Sequence, residues 1–242
     1  MVVEFEIPII WQDEHILAID KPPGLLALPD GYDPSLPHVK GILAPTFKPL
    51  WVVHRLDRYT SGVMVLARSS ASHKHLNTQF QERQFKKIYL AFVSGDPDWD
   101  SIIVDQPLSA NKGHRKRTIV DLQDGTPSVT RFKVRQRYGD YTLVDAVPQT
   151  GRRHQIRAHL ASLGHPVACD SLYGGEKIIQ YADIAHHPPE GEDLTKPLLN
   201  RPGLHARELE LGHPVTSQRL VFKALNPNDL QLTMEVLGDS SD

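Results

Sequence analysis

The sequence predicts an α+β fold, because segments with strand-like alternation and segments with a helical period both occur along one chain. The 242 residues are 40% hydrophobic and 23% charged, which is typical of a globular protein with a sizeable core. Val129–Arg137 and Tyr141–Val147 alternate clearly, and the short Gly139-Asp140 connection between them indicates a β-hairpin. No repeat or low-complexity linker divides the chain. We therefore expect a single domain over residues 1–242.

Further strands are predicted where short apolar runs are bounded by turn residues. They are Ile16–Asp20, Trp51–Val53, Val63–Ala67, Ile88–Ser94, Leu204–Leu211 and Arg219–Lys223.

Two segments have the period of an amphipathic helix. The first runs from about Ala71 to Arg83, with Ser69 or Ser70 as its cap and with Leu76 and Phe80 facing the core.

The second predicted helix runs from about Arg152 to Leu163 and carries Ile156, Leu160 and Leu163 as an apolar stripe. It ends at Gly164, with Pro166 shortly after, as expected for a helix terminus. The Pro-, Gly- and His-rich stretch from about 174 to 203 follows and is predicted to be a long surface loop with one helical turn, a length that indicates a functional or mobile segment.

Composition excludes some classes of protein. Apolar runs in the sequence fall short of the roughly 18–20 residues that a membrane span needs, so no membrane association is expected. The single cysteine, Cys169, rules out an intramolecular disulfide and is typical of a reducing cytoplasm. It is more simply explained as a small buried residue than as a reactive thiol.

The distribution of charge gives weaker evidence about the partner of the protein than composition gives about its class. The formal net charge is −2, but basic residues form clusters, which makes RNA a possible partner. The alternative to an RNA contact is that each cluster is only a solvent-exposed surface without a partner. The clusters are Arg83 with Lys86 and Lys87, Lys112–Arg117, and Arg152 with Arg153 and Arg157.

Motifs for common cofactors are absent from the sequence. It contains no glycine-rich phosphate loop, no pair of cysteines at metal spacing and no glycine-serine-glycine elbow. Of the 13 histidines, His154 and His159 are five apart on the predicted helix and would not share a face. We therefore expect neither a metal nor another cofactor.

The most specific local pattern is the polar segment His54-Arg55-Leu56-Asp57-Arg58 between two apolar strands. A loop held at both ends by core strands can keep reactive groups in place. Asp57 between two arginines is expected to be ionised, and a fixed carboxylate can attack an electrophilic carbon. From spacing alone, a surface network of aspartate and arginine remains an alternative.

Arg152 and Arg153 fall in the first turn of the second predicted helix, where the helix dipole disfavours cations. Such a placement indicates an anion, and helix amino termini and guanidinium groups both suit phosphate. Arg157 borders the apolar stripe and should therefore be partly buried and need a carboxylate. Asp57 is the candidate partner.

Taken in order, these residues resemble the RluA-type pseudouridine synthases over nearly the whole chain. The matching segments are Asp20-Lys21-Pro22-Pro23-Gly24, His54-Arg55-Leu56-Asp57 with Thr60-Ser61-Gly62, Lys87-Ile88-Tyr89-Leu90-Ala91, Thr150-Gly151-Arg152 through His159-Leu160, Asp170-Ser171-Leu172-Tyr173-Gly174, and Leu204-His205-Ala206 with His213-Pro214.

The resemblance implies a pseudouridine synthase fold, with a central, mixed, largely antiparallel sheet flanked by helices and loops and with an active cleft. It implies an enzyme that isomerises specific uridines in tRNA or rRNA without a cofactor or an obligate protein partner. Asp57 would be the catalytic carboxylate, Tyr89 would stack on the target uracil, and Arg157 would pair with Asp57. Arg55 would help to displace the target nucleotide. Without the resemblance, Tyr89 would be a plain core aromatic.

Further RNA contacts are predicted at Arg58, Arg152, Arg153 and His154. Three positions depart from the family pattern: Tyr59 stands where an acid is frequent, Gln149 where Glu is common, and Arg153 where Thr is common. The frequent amino-terminal RNA-binding domain is not expected, because the first motif begins near residue 20.

Two functions from other classes remain open. The chain could be a catalytically silent RNA-binding module, although it retains aspartate, tyrosine and arginine at the three expected positions. It could instead be a glycoside- or nucleoside-cleaving hydrolase, which usually needs a second carboxylate that the Asp57 loop does not provide.

Overall fold

The computed structural model describes residues 5–112, 117–176, 178–184 and 193–239. The strands are β1 (Ile9–Gln12), β2 (Ile16–Lys21), β3 (Trp51–Val52), β4 (Ser61–Ala67), β5 (Lys86–Ser94), β6 (Ser101–Asp105), β7 (Leu108–Lys112), β8 (Arg117–Val120), β9 (Val129–Arg137), β10 (Tyr141–Pro148), β11 (Ile179–Gln180), β12 (Pro197–Leu199), β13 (Leu204–Gly212) and β14 (Arg219–Lys223). The helices are α1 (Val39–Leu43), α2 (Ser70–Gln81), α3 (Gln155–Ser162), α4 (Tyr181–Ile184) and α5 (Asn228–Asp239).

The chain divides into two compact units. The first unit consists of Met1–Ile88 and His205–Leu225, and the second of Tyr89–Leu204 and Asn226–Asp242. Each unit is therefore assembled from two separate stretches of chain. That the whole chain acts as one domain stays a prediction.

The sheet of the first unit is mixed. Strand β4 pairs antiparallel with β2 and β3 and parallel with β13, while β1 and β14 add antiparallel partners to β2 and β13. In the parallel pair Ser61 lies opposite His205 and Gly62 lies opposite Ala206. A Cβ atom on Gly62 would lie 2.2 Å from the Ala206 carbonyl oxygen, so only glycine permits this approach.

Alternation along these strands forms the core of the first unit. Alternate apolar residues of β2, β4, β13 and β14 point to one face, where Leu76 of α2 packs against them. Ser69 caps α2, because its hydroxyl accepts a hydrogen bond from the Ser72 backbone N–H. This helix is confirmed within two residues at each end, with Leu76 fully buried and Phe80 partly buried.

The second unit has an antiparallel sheet in the order β5-β10-β9-β6. The β9–β10 hairpin is confirmed, and Gly139 adopts a positive φ of 77° in its turn. Helix α3 covers one face of this sheet, with Ile156 and Leu160 packed against the side chains of β5, β9 and β10. The opposite face is covered by α5.

The α+β class and the largely antiparallel sheet are confirmed. In addition, strands β1, β6, β7, β8, β11 and β12 and helices α1 and α5 lie in segments for which no element was predicted.

The prediction of a surface loop from 174 to 203 is wrong for a part of its described residues. This stretch contains the β11–β12 pair and α4, the expected helical turn. Ile179, Tyr181 and Leu199 are buried in the core cluster that includes α5. Burial of these apolar side chains is what holds the segment against the second unit. Residues 177 and 185–192, and hence mobility there, lie outside the described part of the chain.

Among the helices in the described part of the chain, none combines the length and the hydrophobicity that a bilayer span requires.

Candidate active site

Asp57 opens a tight turn in the first unit. The Thr60 backbone N–H donates to the Asp57 carbonyl oxygen at 3.1 Å, which places Arg58 and Tyr59 at the two central positions. Leu56 and Thr60, on either side of this segment, are buried. Asp57 is partly buried, whereas Arg55, Arg58 and Tyr59 are exposed. The turn therefore holds the carboxylate at the rim of the core and directs cationic groups into solvent.

The buried side chain of Lys21 binds the backbone of the Asp57 turn. The Lys21 ammonium is fully buried and donates to the carbonyl oxygens of Pro22, Leu25 and Arg58 at 2.8, 2.8 and 3.1 Å. The Gly24 N–H also donates to the Arg58 carbonyl, and the Arg58 Nε donates back to the Gly24 carbonyl. The first motif and the Asp57 motif therefore form one hydrogen-bonded structure.

We expect Lys21→Met to destabilise the protein by about 1–3 kcal/mol, because the methionine removes the Lys21 donor from the carbonyl oxygens of Pro22 and Leu25. Thermal unfolding measures this loss, with Lys40→Met, a change at an exposed position on α1, as the control. Equal melting temperatures for the two variants would show that Lys21 does not hold the turn.

His54 ties the start of the turn to β4. Its Nε2 accepts a hydrogen bond from the Val65 backbone N–H at 3.0 Å, so the ring must carry its proton on Nδ1. The Nδ1 atom is buried, and no described residue bonds to it. Burial, and then the charge of Lys87, hold the pKa of His54 well below its usual 6.5. Burial also lowers the pKa of Lys87 to about 8, and its ammonium lies 4.6 Å from the centroid of the Phe80 ring.

This neutral histidine predicts a pH dependence of stability. In the unfolded chain His54 takes up a proton near pH 6.5, but the folded protein resists protonation, so acidification below about 6.5 favours unfolding. The contribution reaches at most about 1.4 kcal/mol per pH unit. Wild-type protein should therefore lose more stability between pH 7.5 and 5.5 than His54→Gln, whose amide does not titrate.

His159, which burial also holds below its usual pKa, leaves a residual slope in both proteins, so the difference between them isolates His54. His75→Gln, at an exposed position of α2, is the control and should follow the wild type. Parallel stability curves for wild type and His54→Gln would contradict the prediction.

The second unit carries the other predicted site residues. Tyr89 lies on β5 opposite Ala146 and is partly buried against the cluster that contains Ile156 of α3. Arg157 is buried on the same helix, as the apolar stripe predicted. Its guanidinium binds the carboxylate of Asp170 through two hydrogen bonds, from Nε at 2.5 Å and from Nη2 at 2.7 Å.

Asp170 and Tyr173 contact the predicted site residues Arg157 and His154, and neither was singled out from the sequence. Asp170 is 1% exposed, and the Arg157 guanidinium lies 4.9 Å from the Tyr173 ring centroid. The Tyr173 hydroxyl bonds to the Thr118 N–H and to His154 Nδ1, and burial raises its pKa. The sequence offered one signal for them: an acidic and an aromatic residue stand three positions apart in a segment that resembles the family.

The predicted start of this helix is wrong. Helix α3 begins at Gln155, so Arg152 and Arg153 lie in the turn before it and not in its first turn. The cause is Gln155, whose buried amide accepts from the Thr150 hydroxyl and the Arg152 N–H and donates to the Val129 carbonyl. His154, the residue before the helix, has a positive φ of 52°.

Arg152 and Arg153 are exposed, so the turn before α3 presents cations to solvent as a phosphate site requires. Arg153 Nη1 also bonds to the Asn111 side chain on β7. In the basic segment Lys112–Arg117, residues 113–116 lie outside the described part of the chain. Cys169 is buried, and this burial raises the pKa of its thiol to about 12, which confirms the prediction of a small buried residue rather than a reactive thiol.

Arg55, Asp57 and Arg58 therefore belong to the first unit, and Tyr89, Arg152, Arg153, His154 and Arg157 to the second. The pairing of Arg157 with Asp57 stays a prediction. The carboxylate seen on Arg157 within its own unit is that of Asp170.

Comparison with known proteins identifies the chain. The model of the RNA pseudouridylate synthase family matches residues 15–162. The chain belongs to this family. It is an RNA pseudouridine synthase, an isomerase that acts on uridine in RNA.

The synthase is similar to curated relatives over almost its whole length. It is 35% identical to the ribosomal large subunit pseudouridine synthase C of Vibrio vulnificus over 99% of this chain and 72% of the relative. It is 38% identical to the enzyme of the same name from Salmonella typhimurium over 96% of this chain and 70% of the relative.

Solved structures show the same fold. Human RNA pseudouridylate synthase domain containing 4 has a TM-score of 0.72 at 24% identity, covering 96% of this chain and 93% of that one. Human RNA pseudouridylate synthase domain containing 1 has a TM-score of 0.70 at 24% identity, covering 92% and 84%. The pseudouridine synthase fold that the sequence implied is confirmed.

Proposed function

We propose that this synthase modifies ribosomal RNA, that Asp57 is its catalytic carboxylate, and that residues 1–242 act as one catalytic domain in the cytoplasm. The observation that carries the proposal is the fixed turn at Asp57. A buried lysine binds the backbone of this turn at the Arg58 carbonyl, and the partly buried Asp57 stands between the exposed Arg55 and Arg58.

The reaction cleaves the bond between the uracil ring nitrogen and the sugar, turns the base and joins the sugar to carbon 5 of the ring. Carbon 5 loses its proton and the released nitrogen gains one, so the formula is unchanged and the balance requires neither an oxidant nor a reductant. Asp57 acts either as a nucleophile toward the sugar or the ring, or as a base on the sugar.

The other roles are those that the resemblance to the family implies, and the chemistry of the side chains supports them. The target base must leave its stack before reaction, at a cost of a few kcal/mol. The exposed side chains of Arg55, Arg58, Arg152 and Arg153, together with His154, bind phosphates, and Arg55 helps to displace the nucleotide. The ring of Tyr89 stacks on the extruded uracil.

Arg157 acts as the ion-pair partner of Asp57. A guanidinium presents five N–H donors, and the hydrogen bonds to Asp170 come from Nε and Nη2, so the chemistry of the group allows it to serve a second carboxylate.

The names of the relatives support ribosomal RNA over transfer RNA as the substrate, because the relatives compared above are named ribosomal large subunit pseudouridine synthases. Chemical mapping of pseudouridine in cellular RNA, with and without this protein, tests the choice. We expect one or a few large-subunit uridines to lose the modification when the protein is absent. Loss confined to transfer RNA would contradict the proposed substrate.

Incubation of purified protein with RNA tritiated at carbon 5 of uracil tests the reaction itself, because isomerisation releases that tritium. Binding of the RNA without tritium release would favour a silent RNA-binding module. Free uracil among the products would favour a hydrolase.

A further inference from the structure

The turn that carries Asp57 also presents an exposed aromatic ring at its tip. Tyr59 is 49% exposed, so its ring is accessible to a ligand. The Arg58 guanidinium lies 5.5 Å from the centroid of its ring. An exposed ring next to a cation on a catalytic turn has the composition of a binding surface rather than of a core.

The pair is held in place by the backbone beneath it. The Arg58 carbonyl accepts from the Lys21 ammonium and from the Gly24 N–H, and the Arg58 Nε donates to the Gly24 carbonyl. The guanidinium is therefore oriented before any ligand arrives. Preorganisation lowers the entropy cost of binding.

The chemistry of the pair matches a nucleobase. Proteins that bind single-stranded RNA stack bases on aromatic rings and place guanidinium groups beside the rings and the phosphates. At this position the family pattern often has an acid, which would repel a phosphate, so tyrosine changes both the charge and the shape of the turn. Tyrosine in place of an acid therefore favours contact with a flat, uncharged group such as the face of a base.

We propose that Tyr59 and Arg58 form a stacking platform for a base of the RNA close to the target uridine, and that Tyr59 contributes to substrate selection. The inference rests on the proposed role of Asp57 as the site of reaction. Tyr59 is two residues from Asp57, so their Cα atoms lie within about 7 Å. A base on Tyr59 therefore belongs to a nucleotide near the reacting one.

Two substitutions of Tyr59 separate the effect of ring stacking from the effect of side-chain size. Tyr59→Phe keeps the ring and loses only the hydroxyl, whereas Tyr59→Leu keeps apolar bulk and loses the flat π face. Because the side chain lies on an exposed turn, both variants should melt as the wild type does. Any binding difference between them then reports the ring itself.

The first experiment measures binding without catalysis. Fluorescence anisotropy compares a short single-stranded oligouridylate with an abasic strand of the same length on all three proteins. We expect Tyr59→Leu to bind oligouridylate about 5- to 150-fold more weakly than the wild type, the range for one stacked base, and Tyr59→Phe to match the wild type. The abasic strand should bind all three proteins equally. Equal oligouridylate binding by the three proteins, or no binding by any, overturns the platform.

The second experiment measures isomerisation of the RNA segment that mapping identifies as the substrate. Tyr59→Leu should raise KM by the same factor and leave kcat near the wild-type value, because the platform binds substrate and transition state alike. An active wild type with equal KM for all three proteins overturns the platform and leaves the proposed function intact. A wild type that isomerises none of the RNA overturns the proposed function, while the oligouridylate result still decides whether the platform exists.

Discussion

Asp57→Asn is expected to reduce isomerisation by about 10⁴-fold or more while the protein remains folded and retains its affinity for RNA. Losses of this size follow removal of a group that acts directly on the reacting atoms. Asparagine has nearly the same shape as aspartate but can neither carry the negative charge nor act as a nucleophile or base. Tritium release from RNA labelled at carbon 5 of uracil measures the loss.

The matched control is Asp140→Asn, which makes the same chemical change at an exposed position of the β9–β10 hairpin. It should leave tritium release unchanged, because asparagine suits a turn as well as aspartate does. Substantial release by Asp57→Asn would exclude Asp57 as the catalytic carboxylate. A loss of RNA affinity as large as the loss of rate would instead indicate a binding role.

Arg157→Ala is expected to give the largest loss of stability, about 3–5 kcal/mol, because it leaves the carboxylate of Asp170 buried without its cation. Asp170 is 1% exposed and receives both charged hydrogen bonds from Arg157. Activity should fall as well, since Arg157 is the proposed partner of Asp57. Denaturant unfolding and tritium release measure the two effects.

A control with similar geometry but different burial is Arg219→Ala. Arg219 Nη2 lies 2.6 Å from the Glu210 carboxylate, but the Arg219 side chain is 71% exposed, so its removal should cost less than about 1 kcal/mol. The double variant Arg157→Ala/Asp170→Ala should recover part of the stability, because the unpaired charge is gone. Unchanged melting and turnover in Arg157→Ala would refute both roles of this residue.

The sequence predicted the parts of the site that depend on local pattern. The apolar stripe of α3 correctly placed Arg157 at the edge of the core, and the strands on each side of Asp57 correctly predicted a fixed loop. The identity of the carboxylate on Arg157 could not be predicted in this way. Asp170 follows the end of α3 and Pro166, and residue spacing does not show how the chain returns after such a break.

Polar residues inside the core explain other errors. In α5 the buried positions include Leu230, Thr233 and Leu237, a helical spacing whose middle member is a polar residue that bonds to the Asp229 carbonyl. This interruption concealed the apolar stripe. At α3 the buried amide of Gln155 binds three neighbouring segments and sets where the helix begins, which composition does not reveal.

The interleaved path of the chain has a consequence for its biosynthesis. Strands β13 and β14 complete the sheet that begins with β1 and β2. Helix α5 begins at Asn228 and packs into a core whose other members lie at Leu199 or earlier, at least 29 residues before it. During translation from the amino terminus, therefore, neither unit can be completed before β14 and α5 have been synthesised. Nascent chains stalled before Arg219 should accordingly expose apolar surface and recruit chaperones, since neither hydrophobic interior is yet closed.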